Sequence, residues 1–347
     1  MNPDWQLFLQ QHHAHIQDGV VQHFGNLQQE LLAAQNGTIL CDLSQFATLK
    51  VSGDEAGKFL QNLLSSDVQE VNAQHAQLSS LNNPKGRMLA SFLIGGNGTE
   101  YFLQLPRSLG AAILKRLSMY ILRAKVKIED ASLQQICLGI AGEQAAAQLQ
   151  QHLGLPPQQA WAVTQHPSAS VICISPQRFQ INTTPQQAPL LWQKLSSQVT
   201  PVGSVCWDHL NIRAGIPIIL PATQEQFVPQ MTNLELIGGV NFKKGCYPGQ
   251  EIVARMQYLG KLKRRMYLAH LALAHMASDI APQAGDELYS ADMQDQASGM
   301  IVNAAPAPQG GYDLLAVIQI SSCDTQAIHW KSLQGEVLEF LPLPYPL

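Results

Sequence analysis

One succession of elements runs through the first two thirds of the chain twice, and it leaves few folds open. Thr48-Leu49-Lys50-Val51 alternates like a short strand, and Ala56, Phe59, Leu60, Leu63 and Leu64 follow at helical spacing. Between them, Ser52-Gly53-Asp54-Glu55 has Ser and Glu three apart, the pattern of a capping box. After Asp67 the chain turns to strands. A hairpin folds at Asn82-Asn83-Pro84-Lys85-Gly86, where Asn, Pro and Gly supply the turn. Strands continue from Met88 to Ile94 and from Tyr101 to Leu105. A helix carries Leu109, Ile113, Leu117 and Ile121, and Val126-Lys127-Ile128 closes the unit. The order β-α-β-β-α-β is the split βαβ arrangement. It recurs more faintly as a strand from Cys137 to Ala141, a helix from Glu143 to His152, a hairpin of Val171 to Ile174 with Arg178 to Asn182, and a helix from Pro189 to Ser197. Such a duplication predicts two similar α+β halves with a ligand cleft between them.

The flanks have a different texture. Residues 1–35 read as a polar, Gln-rich helical segment. His12, His13 and His15 cluster there, but no carboxylate completes a metal site. From Met266 onward, turns rich in Gly, Pro and Asp separate short apolar runs, which predicts a small antiparallel barrel or sandwich. The expected plan is therefore a helical segment over 1–35, two α+β subdomains over about 43–130 and 131–260 within a region 36–260, and a β-barrel over 261–347. A chain of 347 residues exceeds one ordinary core. With 46% hydrophobic and only 13% charged residues it is globular rather than disordered. Six cysteines occur without a CxxC pair, and Cys137 and Cys173 lie in apolar runs, so neither a structural zinc site nor a disulfide scaffold is expected. The N-terminus shows no signal peptide, and no run approaches 18 apolar residues, so the expected place is the cytoplasm with no membrane partner.

The chemistry concentrates in Lys243-Lys244-Gly245-Cys246-Tyr247-Pro248-Gly249-Gln250-Glu251. Cys246 lies between two glycines in a turn that Pro248 stiffens, and Gln250 to Arg255 reads as the start of a helix. Nearby cations and a helix N-terminus both favour a thiolate, which makes Cys246 the candidate nucleophile. A buried core cysteine is the alternative. Lys244 either serves this thiol or is a solvated lysine. Tyr247 either packs on a ligand or fills the core. Gln250 and Glu251 offer a donor–acceptor pair, or are simply first-turn helix residues. Arg255 stands one turn beyond Glu251, where it can ion-pair with it. Arg87, just past the hairpin turn, is directed at an anion or a carbonyl, or lies free on the surface. Trp207 stacks on a ligand or packs in the core. Net charge is −4, which argues against a general nucleic-acid binder. Yet Lys243, Lys244, Arg255, Lys261, Lys263, Arg264 and Arg265 stand against one acid, Glu251, within a short window. That window is either a solvated basic face or a site for a polyanion.

Three stretches resemble one family. Lys244-Gly245-Cys246-Tyr247-Pro248-Gly249-Gln250-Glu251 is similar to the K-G-C-Y-x-G-Q-E signature of the folate-binding YgfZ proteins. Asn83-Pro84-Lys85-Gly86-Arg87-Met88 resembles that family's earlier K-G-R turn, and Ile212-Arg213-Ala214-Gly215-Ile216-Pro217 its R-A-G-I-P segment, with Phe227 to Leu234 following in order. The resemblance extends from about Leu43 to the end. Through the related glycine-cleavage T-protein it implies a three-domain ring with tetrahydrofolate or a derivative in a central channel. It implies a role in keeping iron–sulfur enzymes working, among them the radical enzymes that methylthiolate tRNA, and makes such iron–sulfur proteins the expected partners. Within that resemblance Cys246 is the expected key thiol, and Lys244, Tyr247, Gln250, Glu251, Arg87, Trp207 and Arg255 are the expected folate-binding candidates. One departure matters. Where the T-protein carries adjacent aspartates, this sequence has Ala90 and Ser91, so no carboxylate is placed to steer protons at the folate nitrogens. That argues against the alternative, a tetrahydrofolate-dependent aminomethyl or one-carbon transferase. The T-protein's pterin-holding glutamate is likewise replaced, by Arg213. The cations from Lys261 to Arg265 suit a polyglutamate tail, a partner protein or tRNA, but they lack the interleaved aromatics of a single-strand-binding face.

Overall fold

The computed structural model describes residues 1–273 and 281–347; residues 274–280, inside the span expected to form the C-terminal barrel, lie outside the described residues. The chain divides into two compact units. One comprises residues 1–60, 68–77 and 92–207; the other comprises 61–67, 78–91 and 208–347.

The first split βαβ forms as its spacing predicts. Strand Phe46–Ser52 pairs antiparallel with Glu100–Pro106 on one side and Lys127–Asp130 on the other, and Glu100–Pro106 pairs with Met88–Gly96. Gln77–Asn82 adds a fifth strand beyond Met88–Gly96. Helix Arg107–Met119 buries Leu109, Gly110, Ile113 and Leu117, one face at four-residue spacing, while Ile121 falls past its end. The shorter helix, Ala56–Gln61, starts without the expected capping box. Ser52 remains in the strand, Gly53 takes φ +114°, and the Glu55 carboxylate accepts instead from the backbone N–H of Lys125 at 2.7 Å.

The second sheet repeats that order with one substitution. Ala169–Ser175, Arg178–Thr183 and Ile136–Ala141 lie side by side and antiparallel, with Val163–His166 added at the edge. The neighbour on the far side of Ile136–Ala141 is Ile39–Asp42, a strand the sequence reading missed, taken from ahead of the first copy. Beyond it Thr200–Val202 pairs parallel. Helix Ala145–Leu153 buries Ala145, Leu149 and Leu153, and helix Ala188–Ser196 buries Ala188, Leu191, Trp192 and Leu195. Their side chains join those of the sheet in one apolar core.

The N-terminal segment is not wholly helical. Helices Pro3–Gln11 and Leu27–Asn36 flank a hairpin of His15–Gln17 and Val20–His23. Its turn is Asp18-Gly19, both at positive φ, the Asp-Gly signal of a tight hairpin. Asn2 caps the first helix, and its Trp5 packs edge-on against Trp192 and donates its indole N–H to buried Asp42 at 2.7 Å.

In the second unit, six antiparallel strands follow the order His329–Trp330, Glu287–Tyr289, Gly299–Pro306, Tyr312–Gln319, Arg264–Leu271, Leu338–Leu341. The sheet curls back on itself. Its first and last strands meet where Leu338 N–H donates to Ile328 O at 2.8 Å and Trp330 N–H to Glu336 O at 2.9 Å. Ala269, Leu271, Leu288, Ile301, Leu314 and Trp330 fill its interior. Among the described residues, no helix is long and apolar enough to cross a membrane, and no group of three or more His, Cys, Asp or Glu is arranged to hold a metal ion.

Candidate functional site

Two of the sequence motifs meet in the second unit. The Asn83 side chain accepts from the N–H groups of Lys85 and Arg87 at 2.9 and 3.0 Å, which tightens the hairpin around Gly86 at φ +72°. In the cysteine motif, Asn241 does the same for Lys243 and Lys244 at 2.8 and 3.1 Å. Gly249, at φ +78°, then turns the chain into helix Gln250–Tyr258. The two glycines lie against each other. A Cβ on Gly249 would fall 2.5 Å from both Asn83 O and Gly86 Cα, and one on Gly86 would fall 3.1 Å from Ile252 Cβ. Only glycine satisfies both the left-handed backbone and this approach. Gly245 has no neighbour within 4 Å of such an atom, so a side chain there would meet open space.

Cys246 is exposed at the tip of this frame. Lys244 is not solvated. It is 8% exposed, and its ammonium donates to the carbonyls of Gln61, Leu64 and Ser66 at 2.6, 2.6 and 2.9 Å. An ammonium has three donors, so all of them are spent. Burial pushes its pKa down to about 8, with the charge of Asp67 pulling the other way. Tyr247 is buried with its ring 5.3 Å from that ammonium, and burial pushes its hydroxyl up to about 12. Lys244 and Tyr247 thus hold the loop to segment 61–67.

The remaining expected residues separate. The Arg87 guanidinium donates to Gln226 O at 2.5 Å and Glu225 O at 3.4 Å, so it takes carbonyls rather than an anion. The side-chain amide N–H of Gln250 lies 3.4 Å from Lys244 O. Glu251 and Arg255 are both exposed on the helix, and among the described residues no ion pair joins them. Trp207 lies in the other unit and is 2% exposed. Its ring lies flush against the bare backbone of Gly139, and the Arg178 guanidinium stacks 4.1 Å from the ring centre. It is a core residue, and its expected stacking on a ligand is corrected accordingly. Ala90 is fully buried, and the Ser91 hydroxyl accepts from Ile219 N–H at 3.0 Å. Gly215 of the third motif sits at φ +65° beneath Tyr345, whose hydroxyl donates to Gly215 O at 2.7 Å.

Two arrangements escaped the sequence reading. Buried Asp313 accepts from His209 Nε2 at 3.0 Å and His270 Nδ1 at 2.8 Å, with Arg213 at 3.5 Å. Burial works to raise its pKa, but those hydrogen bonds and the charges of His209 and Arg213 outweigh burial and hold it below the ordinary 3.8. The second is a cavity in the first unit lined by side-chain amides, including Gln104, Gln135 and Asn182. A signal for it did exist. Gln104 alternates with Leu103 and Leu105, as Gln180 and Asn182 do with Phe179 and Ile181, which puts amides on the sheet face opposite the core.

Comparison with known proteins bears on both units. The GCVT N-terminal domain family model matches residues 8–166. The solved aminomethyltransferase T of the glycine cleavage system from Bartonella henselae superposes with a TM-score of 0.79 over 100% of this chain and 98% of its own. At 17% identity that likeness establishes a shared mixed α/β fold. The tRNA-modifying protein YgfZ of Escherichia coli O7:K1 (strain IAI39 / ExPEC) is 30% identical over 89% of this chain and 93% of its own. That of Shigella boydii serotype 4 (strain Sb227) is 31% identical over the same shares. With its motif turns locked together as described, the chain belongs to the YgfZ family.

Proposed function

We propose that the chain is a tetrahydrofolate-binding accessory protein that supports the assembly or repair of iron–sulfur enzymes, among them those that methylthiolate tRNA, with Cys246 as its key thiol. The observation that carries this reading is the exposed thiol of Cys246, presented on two turns locked by Gly86 and Gly249. A reactive thiol needs access and a fixed approach, and this frame supplies both. Aminomethyl transfer is the weaker reading. Ala90 is apolar, and Ser91 spends its hydroxyl on Ile219, so no carboxylate stands there to move a proton.

A folate offers two chemistries to match. Its glutamate tail needs cations, and exposed Lys243, Arg255, Lys261 and Lys263 provide them around the motif. Its pterin needs an edge of donors and acceptors, and Lys244, Tyr247 and Trp207 are spent or buried. Gln250 and Glu251 remain at the helix start as polar contacts. The name shared by the relatives, tRNA-modifying protein YgfZ, favours tRNA modification as the process served. Client iron–sulfur proteins are the partners in this reading, and tRNA itself need not touch the chain.

The test pairs binding with rescue. Tetrahydrofolate is titrated calorimetrically into wild type and an Arg255→Ala/Lys261→Ala variant, and Cys246→Ser is returned to cells lacking the protein. Saturable binding that weakens in the double variant is expected. Cys246→Ser should fold normally yet fail to restore tRNA methylthiolation. Full restoration by Cys246→Ser, or no folate binding at all, would sink the reading.

A further inference from the structure

Helix Arg107–Met119 ends in an apolar tip. Met119 is 62% exposed, Tyr120 42% and Leu122 90%, three large apolar side chains within four residues. The tip is a hydrogen-bonded turn. Ile121 N–H donates to Ser118 O at 3.3 Å and Ala124 N–H to Ile121 O at 2.7 Å, before the chain enters the edge strand Lys127–Asp130. Leu122 holds φ +47°, a left-handed position that glycine or asparagine fills more easily. Backbone preference and burial both count against a leucine there, which leaves a contact outside the chain as its use.

Cations stand behind this tip. Residues 107–128 contain no Asp or Glu, although the whole chain carries a net charge of −4. Some of the cations in that stretch are committed: the Arg107 guanidinium donates to Ser44 O at 2.7 Å, Lys125 pairs with Asp54 at 3.9 Å, and Lys127 pairs with Glu129. The side chains of Lys115, Arg116 and Arg123 make no ion pair or hydrogen bond among the described residues. Lys115 stands one turn before Met119 on the same helix face, and Arg116 one turn before Tyr120. Polarity is thus graded along the helix axis, with apolar side chains at the end and unpaired cations about 6 Å behind them.

That order separates three kinds of anionic partner. A nucleic acid would meet the cations and give Tyr120 a base to stack on, but it offers nothing to Met119 and Leu122. An acidic protein would need an apolar pocket shaped to a protruding tip. A bilayer with anionic headgroups presents the same two layers in the same order, phosphate outside and hydrocarbon inside, and needs no shaped pocket.

We infer that the tip at residues 119–122 dips reversibly into the surface of an anionic lipid bilayer, with Lys115, Arg116 and Arg123 on the headgroup phosphates. Such a contact lies on the membrane rather than across it, so it needs no long apolar run, the feature from which the absence of a membrane partner was expected. The tip belongs to the first unit and the Cys246 motif to the second, so the inference does not rest on the folate reading.

The experiment sediments the full-length protein with vesicles of phosphatidylglycerol and phosphatidylcholine in equal parts, and with vesicles of phosphatidylcholine alone, across a salt series. The variants are Leu122→Asn, which suits the left-handed backbone, and Arg116→Gln/Arg123→Gln, with melting curves as the check on folding. Binding to the mixed vesicles is expected to fall with salt, to weaken roughly fivefold in Leu122→Asn and roughly tenfold or more in the double variant, and to be absent with phosphatidylcholine alone. No binding to the mixed vesicles, equal binding to both kinds, or wild-type binding by Leu122→Asn overturns the inference. Transfer RNA is titrated in parallel. If wild type and Leu122→Asn bind it alike, the double variant binds it more weakly and the vesicles stay unbound, the inference is overturned in favour of a nucleic-acid face.

Discussion

Lys243 and Lys244 are indistinguishable in the sequence and opposite in the structure. The first is exposed; the second is sunk among three carbonyls drawn from residues 61–66. No local signal announces that, because the partners are about 180 positions away and are backbone oxygens, which every residue has. Replacing Lys244 with Met strands three acceptors in a buried site and should cost about 3 kcal/mol in urea unfolding, whereas Lys243→Met should stay within about 0.5 kcal/mol. Cys246 was legible as an accessible thiol, since Gly, Tyr and Pro flank it instead of an apolar run. Cys246→Ser should change stability by less than about 0.5 kcal/mol by the same assay. Trp207 was not legible, because Gly139 and Arg178, which decide its place, carry no mark of it. Asp313 shows its role only through distant histidines. Its folded pKa lies below 3.8, so its contribution is present above that value and is lost as pH falls through the folded pKa. Asp313→Asn should therefore cost about 3 kcal/mol at neutral pH, with the difference from wild type shrinking in acid titrations below pH 3.8.

At the scale of elements, alternation and four-residue spacing sufficed where one face is buried. Helix Arg107–Met119 and strand Glu100–Pro106 follow directly from that pattern. Local capping signals did worse, since they compete with tertiary partners. Glu55 met the rule for a capping box yet bonds Lys125, a residue 70 positions on. The Asp18-Gly19 hairpin was readable by its turn chemistry but hidden among helix-forming glutamines. The contact of the two motif turns yields a sharper expectation. Gly249→Ala meets both an unfavourable φ and the Asn83 carbonyl, and should lose about 2 kcal/mol or more, while Gly245→Ala should be silent. Thermal melts of the pair would separate a packing glycine from an incidental one within the same motif.

For the whole chain, the duplication was visible in the order of its elements, and both sheets bear it out. What the order did not disclose is which strand completes the second sheet, because nothing in the four residues Ile39–Asp42 ties them to the second copy rather than to the first, which they precede. Ile39, Leu40 and Cys41 are wholly buried there, and Asp42 is held by the Trp5 indole. A ribosome makes this protein from one end, however. Ile39–Asp42 leaves the tunnel more than ninety residues before Ile136–Ala141, the strand it must lie beside, a wait of roughly 5–20 s at ordinary elongation rates. Throughout that interval an apolar strand has no permanent neighbour, while the first split βαβ is already able to close around Phe46–Ser52. The nascent chain thus carries a placeholder debt from its opening residues until its middle is translated, and pausing between codons 42 and 136 is where a growing copy of this protein is most open to a chaperone or to another nascent chain.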